Sequence, residues 1–396
     1  MGKPKIRFKG YADDWEQLKL SEVAKKTYGG GTPRTSEEAF WNGRIPWLQS
    51  ADLIEHEVLS AMPKKGITDA GLQNSAAQLI PKNSIAIVTR VGVGKLAFMP
   101  FEYATSQDFL SLCNLNIDGK FGCYVLYRLL QKEKNLTQGT SIKGITKEEL
   151  LNKELLVPKQ QEQVQIGKYF STLDHLITLH QRKCDETKKL KKYMLQKMFP
   201  QNGEKVPKIR FAGFSDDWEQ RKLGDVFKEY SEKNHTELPA LTIIQGGGTV
   251  KREDSDRNLM YDKSNLSNYK MVRKDDFIVH LRSFEGGLEK SSADGIISPA
   301  YHAFHSDVAD SRFYYPYFRS YEFIKHKLVP HVYGIRDGRS IDIDGMKTIE
   351  IPYTSIEEQQ KIGDYLESID HLITLHQQKC DELQNIKKFM LKNMFA

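Results

Sequence analysis

The 396-residue sequence lacks the features of a membrane-spanning, secreted or zinc-binding protein. No apolar run approaches the roughly 20 residues that cross a bilayer, and the N-terminal stretch MGKPKIRFKG has no apolar segment of the kind found in signal peptides. We therefore expect a cytoplasmic protein without a membrane partner. The four cysteines, Cys113, Cys123, Cys184 and Cys380, show no CxxC or Cys/His zinc spacing, so we expect small core residues and no metal site.

Sequence motifs of DNA-modifying enzymes are missing as well. There is no AdoMet-binding loop, no NPPY-like tetrapeptide that grips a target base, and no carboxylate pair followed by a Glu-x-Lys element. The glycines of VGVGK at 91–95 suggest a phosphate loop, but Thr89 stands where that motif requires glycine. We therefore expect a chain that is not an enzyme.

The composition is that of a soluble globular protein with more than one domain. Hydrophobic residues make up 39% and charged residues 28%, and 396 residues exceed what one hydrophobic core usually supports. The formal net charge of +6 permits a polyanionic partner. Mild excesses of lysine are common, so the charge alone does not identify that partner.

What the sequence does contain is an internal repeat. Residues 4–26 return at 207–229, and residues 162–199 return at 358–395 with DHLITLHQ unchanged at 174–181 and 370–377. Between these matches the two halves barely align. The chain therefore has two copies of one frame, each holding a different insert, and such a duplication predicts recognition of two different targets.

The repeated C-terminal segments are predicted to be long helices. Their apolar positions alternate at spacings of four and three, which is the seam of a coiled coil. At 1.5 Å per residue, about 40 residues give a rod of roughly 60 Å, and two such rods can pack antiparallel. The predicted seam residues are Ile166, Phe170, Leu173, Ile177 and His180 in the first helix, and Ile362, Leu366, Ile369, Ile373 and His376 in the second.

His180 and His376 allow two interpretations at this seam. They can form a metal-binding or pH-sensitive pair, or they can be polar residues that fix the register of the coiled coil. The second interpretation is favoured. His175 and His180 are five residues apart, which is poor spacing for shared ligation of a metal.

The two inserts, 27–157 and 230–351, have the short β-branched and aromatic runs of a mixed α/β structure. We predict an α+β fold with two mixed α/β modules, joined by two long helices packed as an antiparallel coiled coil, and a pseudo-twofold internal repeat. The predicted segments are 1–157 for the first module, 158–200 for its helix, 201–351 for the second module and 352–396 for the second helix. Shared landmarks, KNSIAIVTR with KDDFIVHLR and GTSI with GRSI, indicate diverged copies of one module fold.

The inserts also carry side chains suited to nucleic acid. Arginine and glutamine can make bidentate contacts to base edges, and glycines allow close approach of a backbone. Arg90 and Arg282 occupy equivalent places after the shared strand, where a structural salt bridge is the competing interpretation. The DDWE clusters at 13–16 and 216–219 are better explained as turns that bury Trp15 and Trp218 than as metal sites.

Taken together, the repeated frames, the paired helices, GGGTPRTSEEAFWNGRIPW in the first insert and SPAYHAF at 298–304 resemble the specificity (S) subunit of a type I restriction-modification system. The resemblance covers essentially the whole chain. It implies two target-recognition domains, each binding one half of a bipartite site in double-stranded DNA, and helices that set the spacer. The candidate DNA-binding residues are Thr32, Arg34, Arg44, Arg90, Gln107, Lys143, Arg252, Arg282, Ser283, Tyr301, Arg336 and Arg339.

The resemblance also implies partners that would supply the chemistry. Two modification subunits would dock on the helices, bring AdoMet and methylate adenine, and restriction subunits would bring ATP and Mg for translocation and cleavage. This chain would hold no cofactor. The alternatives are a repeat-built transcription regulator, for which the sequence shows no compact helix-turn-helix pattern, and a self-sufficient modification enzyme, which would need an AdoMet motif.

Overall fold

The structure, a computed structural model, describes residues 3–136, 144–201, 204–255, 263–334 and 339–395. The chain divides into two compact units. Unit 1 comprises Met1–Gln181 with Gln377–Ala396, and unit 2 comprises Arg182–His376. Both divisions fall inside a long helix, so each unit contains the first half of one helix and the second half of the other.

Unit 1 is built around a four-stranded antiparallel sheet in the order β2-β8-β5-β6. All five residues of its strand SIAIV are buried, as expected of a strand covered on both faces. A three-stranded sheet, β4-β3-β7, and the pair β1-β9 complete the described β-structure. The strands are β1 (Glu16–Lys19), β2 (Ala24–Gly29), β3 (Trp41–Leu48), β4 (Lys65–Ile67), β5 (Ser84–Val88), β6 (Leu96–Met99), β7 (Ala104–Thr105), β8 (Phe109–Leu115) and β9 (Glu154–Val157).

The helices of unit 1 begin at residues that suit helix starts. Thr146 accepts the amide hydrogen of Glu149 while the Glu149 carboxylate accepts the Thr146 amide, a reciprocal capping box. Thr68 accepts the amide of Gly71 in the same manner. The helices are α1 (Leu20–Val23), α2 (Asp69–Gln73), α3 (Gly119–Leu136), α4 (Lys147–Leu151) and α5 (Gln160–Lys197), with short 3-10 turns at Glu38–Phe40 and Ser50–Asp52.

Unit 2 repeats the four-stranded sheet, here in the order β11-β18-β15-β16, with the pairs β10-β21, β12-β13, β14-β17 and β19-β20. Its strands are β10 (Glu219–Lys222), β11 (Lys228–Tyr230), β12 (Leu241–Ile244), β13 (Gly248–Lys251), β14 (Lys270–Val272), β15 (Phe277–Val279), β16 (Glu289–Lys290), β17 (Gly295–Ile297), β18 (His302–His305), β19 (Val332–Tyr333), β20 (Ser340–Ile341) and β21 (Glu350–Tyr353).

The α-helices of unit 2 are α6 (Leu223–Val226), α7 (Ser283–Gly286), α8 (Ser311–Phe318), α9 (Ile343–Lys347) and α10 (Ile356–Asn393). A π-helical turn covers Phe323–Leu328, and 3-10 turns cover Arg252–Asp254, Lys263–Asn268 and Val329–His331. Strand β5 of unit 1 and strand β15 of unit 2 are the two shared sequence landmarks, and each occupies the third place in its sheet. The prediction that the inserts are diverged copies of one fold is therefore confirmed for this sheet.

The long helices pack antiparallel within each unit. In unit 1, seam residues of the first half of α5 share a core with the second half of α10, and Cys380 Sγ lies 4.0 Å from the Ile177 carbonyl oxygen. In unit 2, the equivalent Cys184 Sγ lies 3.9 Å from the Ile373 carbonyl oxygen. All four cysteines are buried and reduced, as expected of small core residues.

The predicted seam residues differ in how deeply they are buried. His180 and His376 are half-buried, as are Ile177 and Ile373. Within the described ranges, no three His, Cys, Asp or Glu side chains gather in an arrangement that could hold a metal ion. The six buried seam residues are Ile166, Phe170, Leu173, Ile362, Leu366 and Ile369.

Ser355 and Glu358 at the start of α10 have the spacing of a capping box. Only one half of it forms, in which Ser355 Oγ accepts the Glu358 amide hydrogen at 3.3 Å. The Glu358 carboxylate instead binds Arg210 and the indole of Trp218. Tertiary partners therefore take the carboxylate that the local motif would have used.

Across the helices that the structure describes, none is both long and apolar enough to cross a membrane.

Candidate nucleic-acid interface

In unit 1 the glycine-rich loop after β2 is held by two tryptophans. Trp47 is buried and its indole donates to the Gly31 carbonyl at 3.0 Å, and the Trp41 indole donates to the Arg34 carbonyl at the same distance. The two rings meet edge to face with centroids 5.0 Å apart. A Cβ on Gly31 would collide with the backbone of Ala76, so glycine is required for this close approach. The tryptophans thus fix the loop that carries the candidate residues.

An open pocket of about 340 Å³ lies beside this loop. Thr32 and Gln107, which are 75 positions apart, meet at its rim, where the threonine hydroxyl donates to Gln107 Oε1 at 2.6 Å. Both residues are exposed. The amide nitrogen of Gln107 keeps both hydrogens available, so this pair presents donors to a ligand that enters the pocket.

The three candidate arginines of unit 1 are exposed, but only part of the set adjoins the pocket. Arg34 lies on the loop that forms the pocket rim, and its side chain makes no ion pair with the described residues. Arg44 lies on β3 and pairs with Asp69 at 3.3 Å, a contact that is itself largely exposed. Arg90 follows Thr89, whose amide and hydroxyl both donate to the Asp108 carbonyl at the pocket wall. Arg90 forms no ion pair with any described residue, so the interpretation of Arg90 as part of a structural salt bridge gains no support.

In unit 2 the equivalent strand ends in a turn around α7. Arg282 is exposed and is the residue before the first turn of this short helix. Ser283 is fully buried, and its hydroxyl accepts the His280 amide at 2.9 Å. Its side chain therefore stabilises the turn and leaves the set of exposed candidates. The sequence missed this role because a serine at the end of a strand gives no sign of its own burial.

The buried side chain of His280 also stabilises this turn. Its Nδ1 accepts the Arg282 amide hydrogen at 3.3 Å, and burial lowers the pKa of its imidazole. A neutral ring is needed for that acceptor role. Tyr301, another candidate, is half-buried and meets His280 edge to face at 6.1 Å. The structure thus brings Tyr301 next to the base of the Arg282 turn.

The remaining described candidates of unit 2 fall in two places. The Arg339 guanidinium lies over the Phe284 ring at 4.4 Å and 3.7 Å from Glu285, so it belongs to the α7 surface. Arg252 follows β13, and its guanidinium lies over the Tyr269 ring at 5.4 Å. Lys143 and Arg336 lie outside the described residues, as does the GTSI landmark at 139–142.

Sequence reasoning missed several polar residues that line the unit 1 pocket. Lys65 lies over the Trp41 ring at 5.6 Å, and Gln49, Ser50 and Asp108 complete the wall. These residues are distant in sequence and belong to no recognisable motif, so the only available signal was the alternation of polar residues around buried strands. What the two surfaces share is exposed guanidinium and amide groups on loops supported by buried aromatics, an arrangement suited to hydrogen bonding with base edges and phosphates.

Comparison with known proteins agrees with this geometry. The family model described as "Type I restriction modification DNA specificity domain" matches residues 12–189 and again 215–385. The two matches follow the internal repeat, one in each half of the chain.

The individual relatives share between 24% and 31% of aligned residues with this chain. The MjaVIII specificity subunit of Methanocaldococcus jannaschii is 27% identical over 400 residues, covering 95% of this chain and 91% of that protein. The MjaIX specificity subunit of the same organism is 24% identical over 235 residues, and this match spans only 53% of its length. The EcoR124I/EcoR124II specificity subunit of Escherichia coli is 31% identical over 195 residues, 44% of this chain and 47% of that protein.

A solved structure shares the fold. The crystal structure of the S subunit of a type I restriction-modification system from M. genitalium aligns with a TM-score of 0.63 at 16% identity, over 100% of this chain and 99% of that one. The alignment spans both units, so the α+β fold with its two modules and long helices is that of an established structure.

Proposed function

Since this chain belongs to the type I restriction modification DNA specificity domain family, we propose that it is the DNA sequence-specificity subunit of a type I restriction-modification complex. In this proposal each unit binds one half of a bipartite site in double-stranded DNA. This chain selects the DNA sequence, and other subunits carry out the reactions at the selected site.

The observation that carries this proposal is one frame that holds two different recognition surfaces. The four-stranded sheet and the helix halves recur, whereas the loop of unit 1 offers Thr32 and Gln107 and the turn of unit 2 offers Arg282 and Arg339. A duplicated scaffold with identical surfaces would recognise the same sequence twice. Exposed loops that differ between the two units instead suit two unlike half-sites.

Within unit 1, Gln107, Thr32 and Arg34 are proposed to contact the first half-site. A glutamine amide can bond an adenine edge and an arginine can bond guanine, each in a bidentate manner. Within unit 2, Arg282 and Arg339 are proposed to contact the second half-site, with Tyr301 and His280 supporting the turn.

The helices are proposed to set the spacer between half-sites and to dock two modification subunits. Each helix has 38 residues, or about 57 Å at 1.5 Å per residue. A rigid element of fixed length converts the distance between half-sites into part of the specificity, since the two recognised surfaces must lie on compatible faces of the duplex.

The family also suggests the division of chemistry among subunits. Modification subunits would bring AdoMet and methylate adenine, and restriction subunits would bring ATP and Mg for translocation and cleavage. This chain would be non-catalytic. The hypothesis of a transcription regulator that works without such partners gains no support from the relatives, which are specificity subunits.

The test is co-expression of this chain with the modification subunit encoded beside it, followed by long-read mapping of methyladenine in host DNA. A bipartite motif with a fixed spacer that vanishes when this chain is omitted is the expected result. A stable complex that leaves the DNA unmethylated would contradict the proposal. Purification of the complex in parallel establishes whether the subunits assemble.

A further inference from the structure

Unit 2 contains a large open pocket of about 790 Å³ that none of the candidate DNA-binding residues lines. One wall is the second half of α5, with Lys188, Lys191 and Lys192. The facing walls are the turn between β12 and β13 and the residues of α8 around Arg319. The pocket therefore joins the helix frame to the recognition module within one unit.

The lysines of this pocket fall into two groups. Lys191 is paired with Asp370 at 2.6 Å, and Lys290 is paired with Asp275 at 2.9 Å. Lys188 and Lys192 are exposed, and neither forms an ion pair with any described residue. They are four residues apart, so both project from the same face of α5. These two ammonium groups are free to bind an anion.

The opposite wall is rigid and its buried acid is already neutralised. Gly246 and Gly248 have positive φ angles of 84° and 74°, and their amides donate to the two oxygens of the buried Glu289 carboxylate. The Arg319 guanidinium lies 3.9 Å from that carboxylate and donates to the Gly246 carbonyl at 3.2 Å. Glu289 therefore adds no exposed negative charge to the pocket.

The free charge of Lys188 belongs to unit 2 and is not a requirement of the repeated frame. The position of Lys188 is Gln384 in the other helix copy, and the neighbouring Lys189 is Asn385 there, while Lys192 corresponds to Lys388. From 182 to 197, α5 carries seven basic and two acidic residues, whereas the equivalent stretch 378–393 carries four basic and two acidic. A purely structural role at position 188 would be served equally by glutamine.

We propose that Lys188 and Lys192 bind backbone phosphates of the DNA duplex beside the half-site that unit 2 recognises. This inference rests on the proposed function and adds to it a contact surface on the helix frame that does not depend on base sequence. Lysine is a compact, flexible point charge that suits phosphates, and the pocket is continuous with the module that carries the recognition turn. An acidic face of a protein partner is the competing ligand, and the experiment separates the two.

The experiment uses the complete complex of this chain with its modification subunits and a duplex carrying the motif found by methylation mapping. The affinity of wild type and of the double variant Lys188→Gln/Lys192→Gln is measured as a function of salt. Each lost phosphate contact lowers the slope of log K against log salt by about 0.9, so the variant slope is expected to be shallower by about 1.8. Between about 50 and 200 mM salt, affinity then falls about tenfold less than in wild type.

The matched control is Lys183→Gln/Lys189→Gln, which removes the same charge from the same helix at positions outside the pocket. Its slope is expected to equal that of wild type, and the methylated motif is expected to be unchanged in both variants. A Lys188/Lys192 slope equal to that of the control overturns the inference. Loss of subunit assembly in that variant also overturns it and indicates a protein ligand. A wild-type complex that binds no duplex contradicts the proposed function itself.

Discussion

The two units have the same frame contacts with different loops attached. In unit 1, Arg7 forms a bidentate pair with the buried Glu162, and in unit 2, Arg210 forms the same pair with the buried Glu358. The first frame segment of each unit is thereby tied to the start of its long helix. The repeat is preserved where side chains connect backbone segments inside a unit.

Two further contacts recur at equivalent positions. The amide of Asp118 donates to Gln163, as that of Asp310 does to Gln359. The aromatic end of each helix also enters a matching cluster. Phe395 packs on Trp15, Phe121 and Phe170 in unit 1, and Phe199 packs on Trp218, Phe313 and Tyr317 in unit 2.

The differences lie in exposed loops and in a few details of the frame. Glu358 accepts hydrogen bonds from Trp218 and Thr354 as well as from Arg210, whereas the indole nitrogen of Trp15 has no partner among the described residues. Pro158 stands where unit 2 has Thr354. The comparison teaches that the frame is specified by buried polar pairs and aromatic packing, and that the recognition loops are free to diverge because they carry none of these contacts.

The largest expected effect is on the buried carboxylates of the frame. Glu358→Ala leaves the Arg210 guanidinium buried and unpaired, which costs about 3–5 kcal/mol of unfolding free energy. Glu162→Ala is expected to cost about 1 kcal/mol less, since Glu358 also serves Trp218 and Thr354. Hydrogen exchange of peptides from each unit measures both changes. The control is Glu357→Ala at an exposed neighbour. Equal losses of unfolding free energy in the Glu357 and Glu358 variants would show that the Arg210–Glu358 pair does not stabilise the frame.

The next effect distinguishes the two lysine–aspartate pairs of the seam. The side chain of Lys387 is 11% exposed, and its partner Asp174 also accepts the Tyr124 hydroxyl at 2.6 Å. Lys191, with its partner Asp370, is 24% exposed. Asp174→Ala is therefore expected to cost about 2–3 kcal/mol, and Asp370→Ala about 1 kcal/mol, by urea unfolding. Equal or reversed costs would show that burial of the lysine does not determine the strength of these pairs.

Substitution of a recognition arginine is expected to affect one half-site alone. If Arg282 contacts a base edge as proposed, Arg282→Ala removes about 1–3 kcal/mol of binding energy, and methylation at duplexes altered in one half of the motif is expected to become less selective by about tenfold to a hundredfold. Arg34→Ala is the matched variant for the other half. Methylation that is unchanged by Arg282→Ala would exclude this residue from recognition, and purification of the complex serves as the assembly control.

The smallest effect is a pH dependence found in unit 2. A hydrogen bond to Asp276 raises the pKa of His305, and Ser84 stands in unit 1 where unit 2 has Asp276. A raised pKa means that the stabilisation is complete below the ordinary histidine value of about 6.5 and is lost as pH rises through the higher folded value. The side chain is partly exposed, so we expect about 0.5 kcal/mol.

His305→Gln is expected to abolish this loss, measured as the unfolding free energy at pH values on both sides of about 6.5. His235→Gln, at another histidine of unit 2 that also lies beside carboxylates, is the control. If the unfolding free energy of wild type and of His305→Gln changes with pH in the same way, the His305–Asp276 pair makes no pH-dependent contribution to stability.

The repeated parts were predictable from the sequence. The helices follow from the local spacing of apolar residues, and the duplication follows from direct comparison of two segments of the chain. The helix bounds Gln160–Lys197 and Ile356–Asn393 fall within the predicted helix segments, and Trp15 and Trp218 are buried as expected. The meeting of Thr32 with Gln107, and of Lys188 with the Gly246–Gly248 turn, depends on tertiary packing between distant segments. No local pattern encodes such proximity, so these sites emerged only from the structure.

The most direct test of the account exchanges the loops while keeping the frame. Residues 27–157 are replaced by a second copy of residues 230–351, the chain is co-expressed with its modification subunit, and methyladenine is mapped by long-read sequencing. Because Gln163 and Gln359 hold the two inserts through the same contact, the exchanged chain is expected to assemble. The expected result is a methylated motif in which the half-site of unit 2 occurs twice with the spacing unchanged. Retention of the original motif in an assembled complex would contradict it.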